Sequence, residues 1–194
     1  ATNLAVVAIA SAFGLYYLFM FVVGRGSYLW LSASLFQISV HCCLYLSLSS
    51  LIQPPLWLAN VEMDMASISL LFVFLLQFFR GSLDLRRNFP LLNWVFLAGI
   101  AFYLLMVVLN VGSSLTYPSA PYLDLVEYPP DRAGPGIIKL SYLIPPFLLL
   151  LLGSAILSLV LWRRGSNYAK FLMISFSLPF LAVPITAVTY FAFV

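Results

Sequence analysis

The residues whose side chains are best suited to chemistry lie on one predicted helix, where polar side chains interrupt an apolar run. Ser34, Gln37, His41 and Tyr45 follow spacings of three, four and four, so they share one helical face. His41 is the only histidine of the chain. Its imidazole could ligate a haem or a chlorophyll, relay protons or bind a ligand, or it could be neutral and hydrogen-bonded between helices. The last interpretation is favoured, because one histidine cannot supply both axial ligands of a bis-histidine haem.

A second polar stripe lies on the opposite face of the same helix and consists of small residues. Ser32, Ser39, Cys43 and Ser47 form it. Small residues allow neighbouring helices to approach closely, and hydroxyl groups can bond across the contact. We therefore predict that this helix is sandwiched between two neighbours, with the His41 stripe facing the interior of a bundle.

Several polar and aromatic residues are expected at similar depth, close to one face of the membrane. Such a set could line a pocket in which aromatic rings supply packing and a few polar groups fix orientation. The alternative is a tyrosine belt with hydrogen bonds between helices. The candidate ligand-binding residues are His41, Tyr45, Glu62, Asp64, Tyr103, Tyr142, Thr186 and Tyr190.

Catalytic signatures are absent from the sequence. It contains no G-x-S-x-G or H-E-x-x-H motif and no cluster of residues with the spacing of metal ligands. Asp84 stands four residues after Arg80 and three before Arg87, a spacing that predicts local ion pairs. The sequence thus indicates a protein that is not an enzyme and carries no cofactor or metal.

Composition determines the class of protein. Of the 194 residues, 63% are hydrophobic and 8% are charged, whereas a soluble domain carries about a quarter charged residues. The formal net charge of +3 is spread between apolar segments, which does not favour nucleic acid as a partner. We predict an all-α, polytopic membrane helix bundle in a single domain, 1–194. The six predicted spans are roughly 4–23, 28–50, 61–79, 91–110, 137–161 and 170–193.

Basic residues predict how the chain is oriented. With the N-terminus outside, seven of the nine basic residues fall in inward loops, as the positive-inside rule requires. The expected location is the bacterial cytoplasmic membrane, with the basic elbows in the cytoplasm. Six spans place the C-terminus outside as well. The elbow residues are Arg25, Arg80, Arg86, Arg87, Arg163, Arg164 and Lys170.

The tryptophans agree with this orientation. Trp30, Trp94 and Trp162 lie at the predicted inner boundary, and Trp57 lies in an outer loop. Tryptophan is enriched at both membrane–water interfaces. One long outer connection, 111–136, is rich in proline and tyrosine and is expected to be an ordered cap or a docking surface. Besides the lipid bilayer, the expected partners are other membrane or output proteins, bound through this loop.

Three segments carry a resemblance to a known family. They are LYYLFMFVVGRGSYLWLSASLFQISVHCCLYLSL (15–48), FFRGSLDLRRNFPLLNWVF (78–96) and WRRGSNYAKFLMISF (162–176). Their order, with short basic elbows between apolar helices, resembles the transmembrane domain of the bacterial seven-transmembrane receptors with diverse intracellular signalling modules. The resemblance implies a seventh helix, an external sensor domain and a cytoplasmic output domain, none of which is recognisable in these residues.

Two functions are therefore expected. The first is a receptor-like signalling domain that senses an external ligand or an adjacent sensor domain and relays the change to the cytoplasmic side. The alternative is a non-catalytic integral membrane subunit that stabilises a larger respiratory or photosynthetic complex.

Overall fold

A computed structural model describes residues 2–22, 26–41, 61–116, 140–166, 169–170 and 172. These residues form helices and turns and contain no strand, so the predicted all-α class is confirmed for them. Six helices follow one another in this part of the chain. They are α1 (Thr2–Val22), α2 (Ser27–His41), α3 (Val61–Ser82), α4 (Leu85–Asn88), α5 (Pro90–Thr116) and α6 (Leu140–Arg163).

Three of these helices are long and apolar enough to cross a membrane. The qualifying stretches are Glu62–Ser82, Pro90–Thr116 and Tyr142–Arg163, and Val7–Val22 is a shorter apolar helix. They coincide with the third, fourth, fifth and first predicted spans. The second predicted span is described only as far as His41, and most of the sixth lies outside the described residues. These features indicate a membrane protein, while the count of six spans stays a prediction.

The predicted outer loop begins later than we expected. α5 continues to Thr116, so 111–116 are helical, and the rest of 111–136 lies outside the described residues. In the last turn, the Thr116 Oγ1 donates to the carbonyl oxygen of Gly112 at 2.8 Å.

α3 is the central helix of the first of two compact units, Ala1–Phe147 and Leu148–Val194. Within the first unit α3 packs against both α2 and α5, and α1 packs on α2. Half of the most apolar window of α3 is buried, compared with 28% of the corresponding window of α5. α3 thus carries the main contacts of this unit.

α1 and α2 approach each other closely through small residues. The Ser32 hydroxyl donates to the carbonyl oxygen of Gly14 at 2.8 Å, and the hydroxyls of Ser11 and Ser39 lie 3.1 Å apart. A β-carbon at position 14 would stand 3.2 Å from the ring of Phe36. The absence of a side chain at Gly14 therefore permits this contact.

α5 buries one stripe against the unit and exposes the opposite face. The exposed face is apolar, with Leu91 83% and Trp94 70% accessible, as expected of a surface that faces lipid. The buried stripe combines apolar and polar side chains at helical spacing. It consists of Asn93, Phe96, Ile100, Tyr103, Met106, Asn110 and Ser114.

The elbow between α3 and α5 is a compact turn built around two buried leucines. Leu83 and Leu85 are almost completely buried, and between them Asp84 adopts a left-handed conformation with φ 45°. Aspartate is one of the few residues other than glycine that tolerate this conformation. The side-chain amide of Asn88 donates to the carbonyl oxygen of Leu83 at 2.9 Å and closes the turn.

In the second unit, a glycine ends α6. Gly165 has a φ of 93°, its N–H bonds to the Trp162 carbonyl, and the Ser166 N–H bonds to the Leu161 carbonyl. This pair of bonds is a Schellman motif. The Ser166 hydroxyl then accepts a bond from the Ala169 N–H at 3.3 Å.

The contact at Gly14 gives a test of the α1–α2 interface. We expect Gly14→Leu to lower the thermal unfolding midpoint of the detergent-purified protein, because overpacking of a close contact typically costs about 1–3 kcal/mol. Gly112→Leu is the matched control, since Gly112 is exposed and a β-carbon there meets nothing within 4 Å. Equal midpoints for the two variants would contradict the close packing of α1 on α2.

Candidate functional site

The polar stripe of α2 faces the start of α3. The side-chain amide of Gln37 donates to the Ser67 hydroxyl at 2.8 Å. His41 Nδ1 lies 3.3 Å from the Ser67 hydroxyl and 3.3 Å from Asp64 Oδ1. Gln37, His41, Asp64 and Ser67 are called the acid-end cluster below. Tyr45, the last predicted member of the stripe, lies outside the described residues.

The opposite stripe of α2 faces α1. Ser32 and Ser39 make the contacts to Gly14 and Ser11 described above. The sandwiched position of α2 is therefore confirmed for the described residues, and Cys43 and Ser47 lie outside them. Ser34 is buried but bonds to the Trp30 carbonyl of its own helix.

Two carboxylic side chains are buried in the first turn of α3. Glu62 is 1% exposed and Asp64 is 3% exposed. Burial of a carboxylate away from water is costly unless a charge or hydrogen-bond donors compensate it. His41 Nδ1 lies at ion-pair distance from Asp64 Oδ1, yet the geometry is not that of a hydrogen bond, and Oδ1 accepts none. Asp64 thus retains an acceptor that a ligand or a proton could satisfy.

Asn110 on α5 is a further polar residue that the sequence analysis missed. It is fully buried, its amide nitrogen donates to the Met106 carbonyl at 2.8 Å, and its Oδ1 has no hydrogen bond. α5 runs antiparallel to α3, because Arg80 contacts Asn93 at one level and Phe72 contacts Tyr103 at another. The same register puts Asn110 at about the depth of Asp64. Its place on the buried stripe of α5 was the signal that could have identified it.

The remaining predicted ligand-binding residues differ in burial, and two of them lie outside the described residues. Tyr103 is buried, with its hydroxyl donating to the Leu143 carbonyl at 2.7 Å and its ring edge against Phe72. Tyr142 is 66% exposed. Thr186 and Tyr190 lie outside the described residues. The structure therefore brings His41 and Asp64 together, buries Glu62 two residues from Asp64 on α3, and gives Tyr103 a structural partner.

A second polar cluster lies at the other end of α3. Arg80 Nε donates to Asn93 Oδ1 at 2.8 Å, and Arg80 Nη1 donates to Gln77 Oε1 at 3.0 Å. A pocket of about 180 Å³ opens beside this guanidinium and is called the arginine pocket. It is lined by Trp30, Gln77, Arg80, Gly81, Asp84, Arg86 and Asn93.

The predicted ion pairs of Asp84 are wrong. Arg80 bonds to two neutral amides, and among the described residues no arginine lies at ion-pair distance from Asp84. The left-handed conformation of Asp84 interrupts the helix, so the spacing of a continuous helix does not apply. Its backbone carbonyl instead accepts bonds from the N–H groups of Arg87 and Asn88.

The other basic elbow residues are exposed wherever they are described. Arg86 and Arg87 belong to α4. In the second unit, Arg163 is the last residue of α6, and Arg164 and Lys170 follow it. Arg25 lies outside the described residues. Within the described part of the chain, no group of three or more histidine, cysteine, aspartate or glutamate side chains could hold a metal ion.

Comparison of the chain with protein-family models, curated proteins and solved structures found no match. The resemblance to the bacterial seven-transmembrane receptors therefore stays a prediction.

The acid-end cluster predicts an energetic coupling between α2 and α3. In a double-mutant cycle of Gln37→Ala and Ser67→Ala, we expect a coupling free energy of about 0.5–1.5 kcal/mol, because each variant removes one partner of the same hydrogen bond. The free energy of unfolding in detergent is the measured quantity. Ser69→Ala is the control in place of Ser67→Ala, since the Ser69 hydroxyl bonds to Met65 within its own helix. A coupling near zero for Gln37 with Ser67 would contradict the contact.

Proposed function

We propose that this chain is a receptor-like signalling domain of the bacterial cytoplasmic membrane. The observation that carries the proposal is that α3 connects the acid-end cluster at one end to the arginine pocket at the other. At the first end its Asp64 and Ser67 contact α2. At the other end its Arg80 contacts α5. A ligand or sensor domain at the acid-end cluster could thus influence the basic elbow through one helix.

The geometry of α3 suits such a relay. Asp64 and Arg80 are sixteen residues apart on one helix, about 24 Å along its axis. A helix that is packed on both sides moves as a unit, so a small shift or rotation at one end reaches the other. Asp64 Oδ1 is buried without a hydrogen bond, so an incoming donor group could compete with His41 for this oxygen.

Signalling further requires two packing arrangements with different affinities for the stimulus. In the proposal, one arrangement keeps the contact between His41 and Asp64 and the other releases it. The released arrangement lets α3 move relative to α2 and changes the contact of Arg80 with Asn93. The elbow Leu83–Phe89 is then the output surface toward a cytoplasmic partner.

The relay predicts that a change at Asp64 alters the elbow at a distance. We expect Asp64→Asn to change amide hydrogen–deuterium exchange in the peptide 83–89 of the full chain in lipid nanodiscs by about threefold or more, since a shift of the local opening equilibrium by about 0.7 kcal/mol produces that factor. Ser69→Ala is the control, because Ser69 is equally buried on α3 but bonds within it.

The proposal is decided by whether hydrogen–deuterium exchange changes at both ends of α3 or at one end only. A change confined to 61–70 in Asp64→Asn, with 83–89 unaltered, would contradict a relay through α3. The alternative function, a non-catalytic subunit of a larger complex, would then be favoured if stoichiometric protein partners co-purify from native membranes.

The proposed orientation has its own test. Asn88 and Thr116 are both exposed; Asn88 ends α4, just before α5 begins, and Thr116 ends α5. With Cys42 and Cys43 replaced by serine, we expect Thr116→Cys in intact spheroplasts to react with a membrane-impermeant maleimide. Asn88→Cys should react only after permeabilisation, because the basic elbow stays inside. The reverse pattern of labelling would show that the elbow faces outward.

A further inference from the structure

Among the residues that the structure describes, no carboxylate lies at ion-pair distance from the Arg80 guanidinium beside the arginine pocket. Within the described part of the chain, Arg80 donates to two neutral amide oxygens, which use two of its five N–H donors. These bonds hold the guanidinium in a fixed position while leaving donors for another acceptor. Arg86, an exposed residue of α4, also lines the pocket. Two arginines that line one pocket are a typical site for a phosphate group.

The same pocket also presents an acceptor of opposite charge. The exposed Asp84 contributes to its wall, and the left-handed turn separates this residue from the arginines that it would meet on a continuous helix. A purely anionic ligand would be repelled by this carboxylate. A ligand with a phosphate and an ammonium group a few bonds apart would satisfy both signs of charge at once.

The surroundings indicate that such a ligand comes from the membrane. Trp30 lines the pocket, and the exposed apolar residues Leu91 and Trp94 stand on either side of Asn93 in the chain at the start of α5. Tryptophan prefers the level of lipid headgroups. The exposed apolar surface next to the pocket would accommodate acyl chains, which a soluble phosphate compound lacks.

We propose that the arginine pocket binds the headgroup of a phosphoethanolamine lipid. The phosphate accepts hydrogen bonds from Arg80 and Arg86, and the primary ammonium donates to the Asp84 carboxylate. A choline headgroup has the same charges but no N–H to donate, so it forms only half of this arrangement. A glycerol headgroup leaves Asp84 without an opposite charge.

The test uses the full chain purified in detergent and native mass spectrometry with equimolar mixtures of lipids that share the same acyl chains. We expect phosphatidylethanolamine to be bound at least about threefold more than phosphatidylcholine or phosphatidylglycerol. Arg86→Gln should reduce the phosphatidylethanolamine adduct about tenfold, since charge-assisted bonds to phosphate are the strong contacts. Arg87→Gln is the matched control, because Arg87 is the exposed neighbour on α4 that does not line the pocket.

The Asp84→Asn variant tests the contact to the ammonium group separately from the contacts to the phosphate. Asparagine also tolerates the left-handed conformation, so the turn is retained. We expect this variant to keep phosphate binding but to lose the preference for phosphatidylethanolamine over phosphatidylcholine. Thermal unfolding midpoints close to that of the unmodified chain would show that all three variants are folded.

Four outcomes would overturn the proposal. The first is equal binding of phosphatidylethanolamine and phosphatidylcholine by the unmodified chain. The second is stronger binding of phosphatidylglycerol, which would indicate attraction by net positive charge alone. The third is an equal loss of binding in Arg86→Gln and Arg87→Gln. The fourth is displacement of the lipid by equimolar glycerophosphoethanolamine, which would point to a soluble ligand.

Discussion

The structure depends on one constraint, which is that α3 carries polar groups in surroundings that offer little water. A buried carboxylate or guanidinium in an apolar environment must be compensated by neighbouring side chains. α3 has both kinds of group, with Glu62 and Asp64 in its first turn and Arg80 in its last. Asp64 lies at ion-pair distance from His41 on α2, and Arg80 bonds to Asn93 on α5 as well as to Gln77 on α3 itself. These contacts determine which helices must flank α3.

The rest of the first unit follows from that arrangement. α2 contacts α3 on one face and α1 on the other, so both of its polar stripes are used. α5 turns its only polar stripe inward and exposes leucine and tryptophan outward. Polar groups inside and apolar groups outside are the reverse of a soluble bundle and are typical of a helix bundle in lipid. The Phe72–Phe147 stack, with ring centroids 3.9 Å apart, adds apolar contact between the polar levels.

Prediction of helix contacts from the sequence was most accurate where polar residues repeat at helical spacing. Both stripes of α2 could be identified because several small or polar residues recur every three or four positions. Asn93 and Asn110 were missed because each is a single amide in an apolar run, and only the packing of α5 on α3 reveals its partner or depth. Gln77 was missed although its partner Arg80 stands three residues later on the same helix. The error at Asp84 has a different origin. Helical spacing was applied across a residue whose left-handed backbone ends the helix, and no spacing rule detects that conformation in an aspartate.

The two proposals meet at Arg80. In the relay, the bond from Arg80 to Asn93 connects α3 to α5, and in the lipid site the same guanidinium holds a phosphate. A phosphate that competes with Asn93 for Arg80 would favour the arrangement in which the bond from Arg80 to Asn93 is loosened. A phosphate that uses only the remaining N–H donors of Arg80 would favour the arrangement with this bond intact. Linkage is reciprocal, so if bound lipid changes the affinity of the acid-end cluster for its stimulus, the stimulus changes the affinity for lipid by the same factor. Lipid binding at the basic elbow would therefore set the sensitivity of the relay, and the composition of the membrane would become part of the signal.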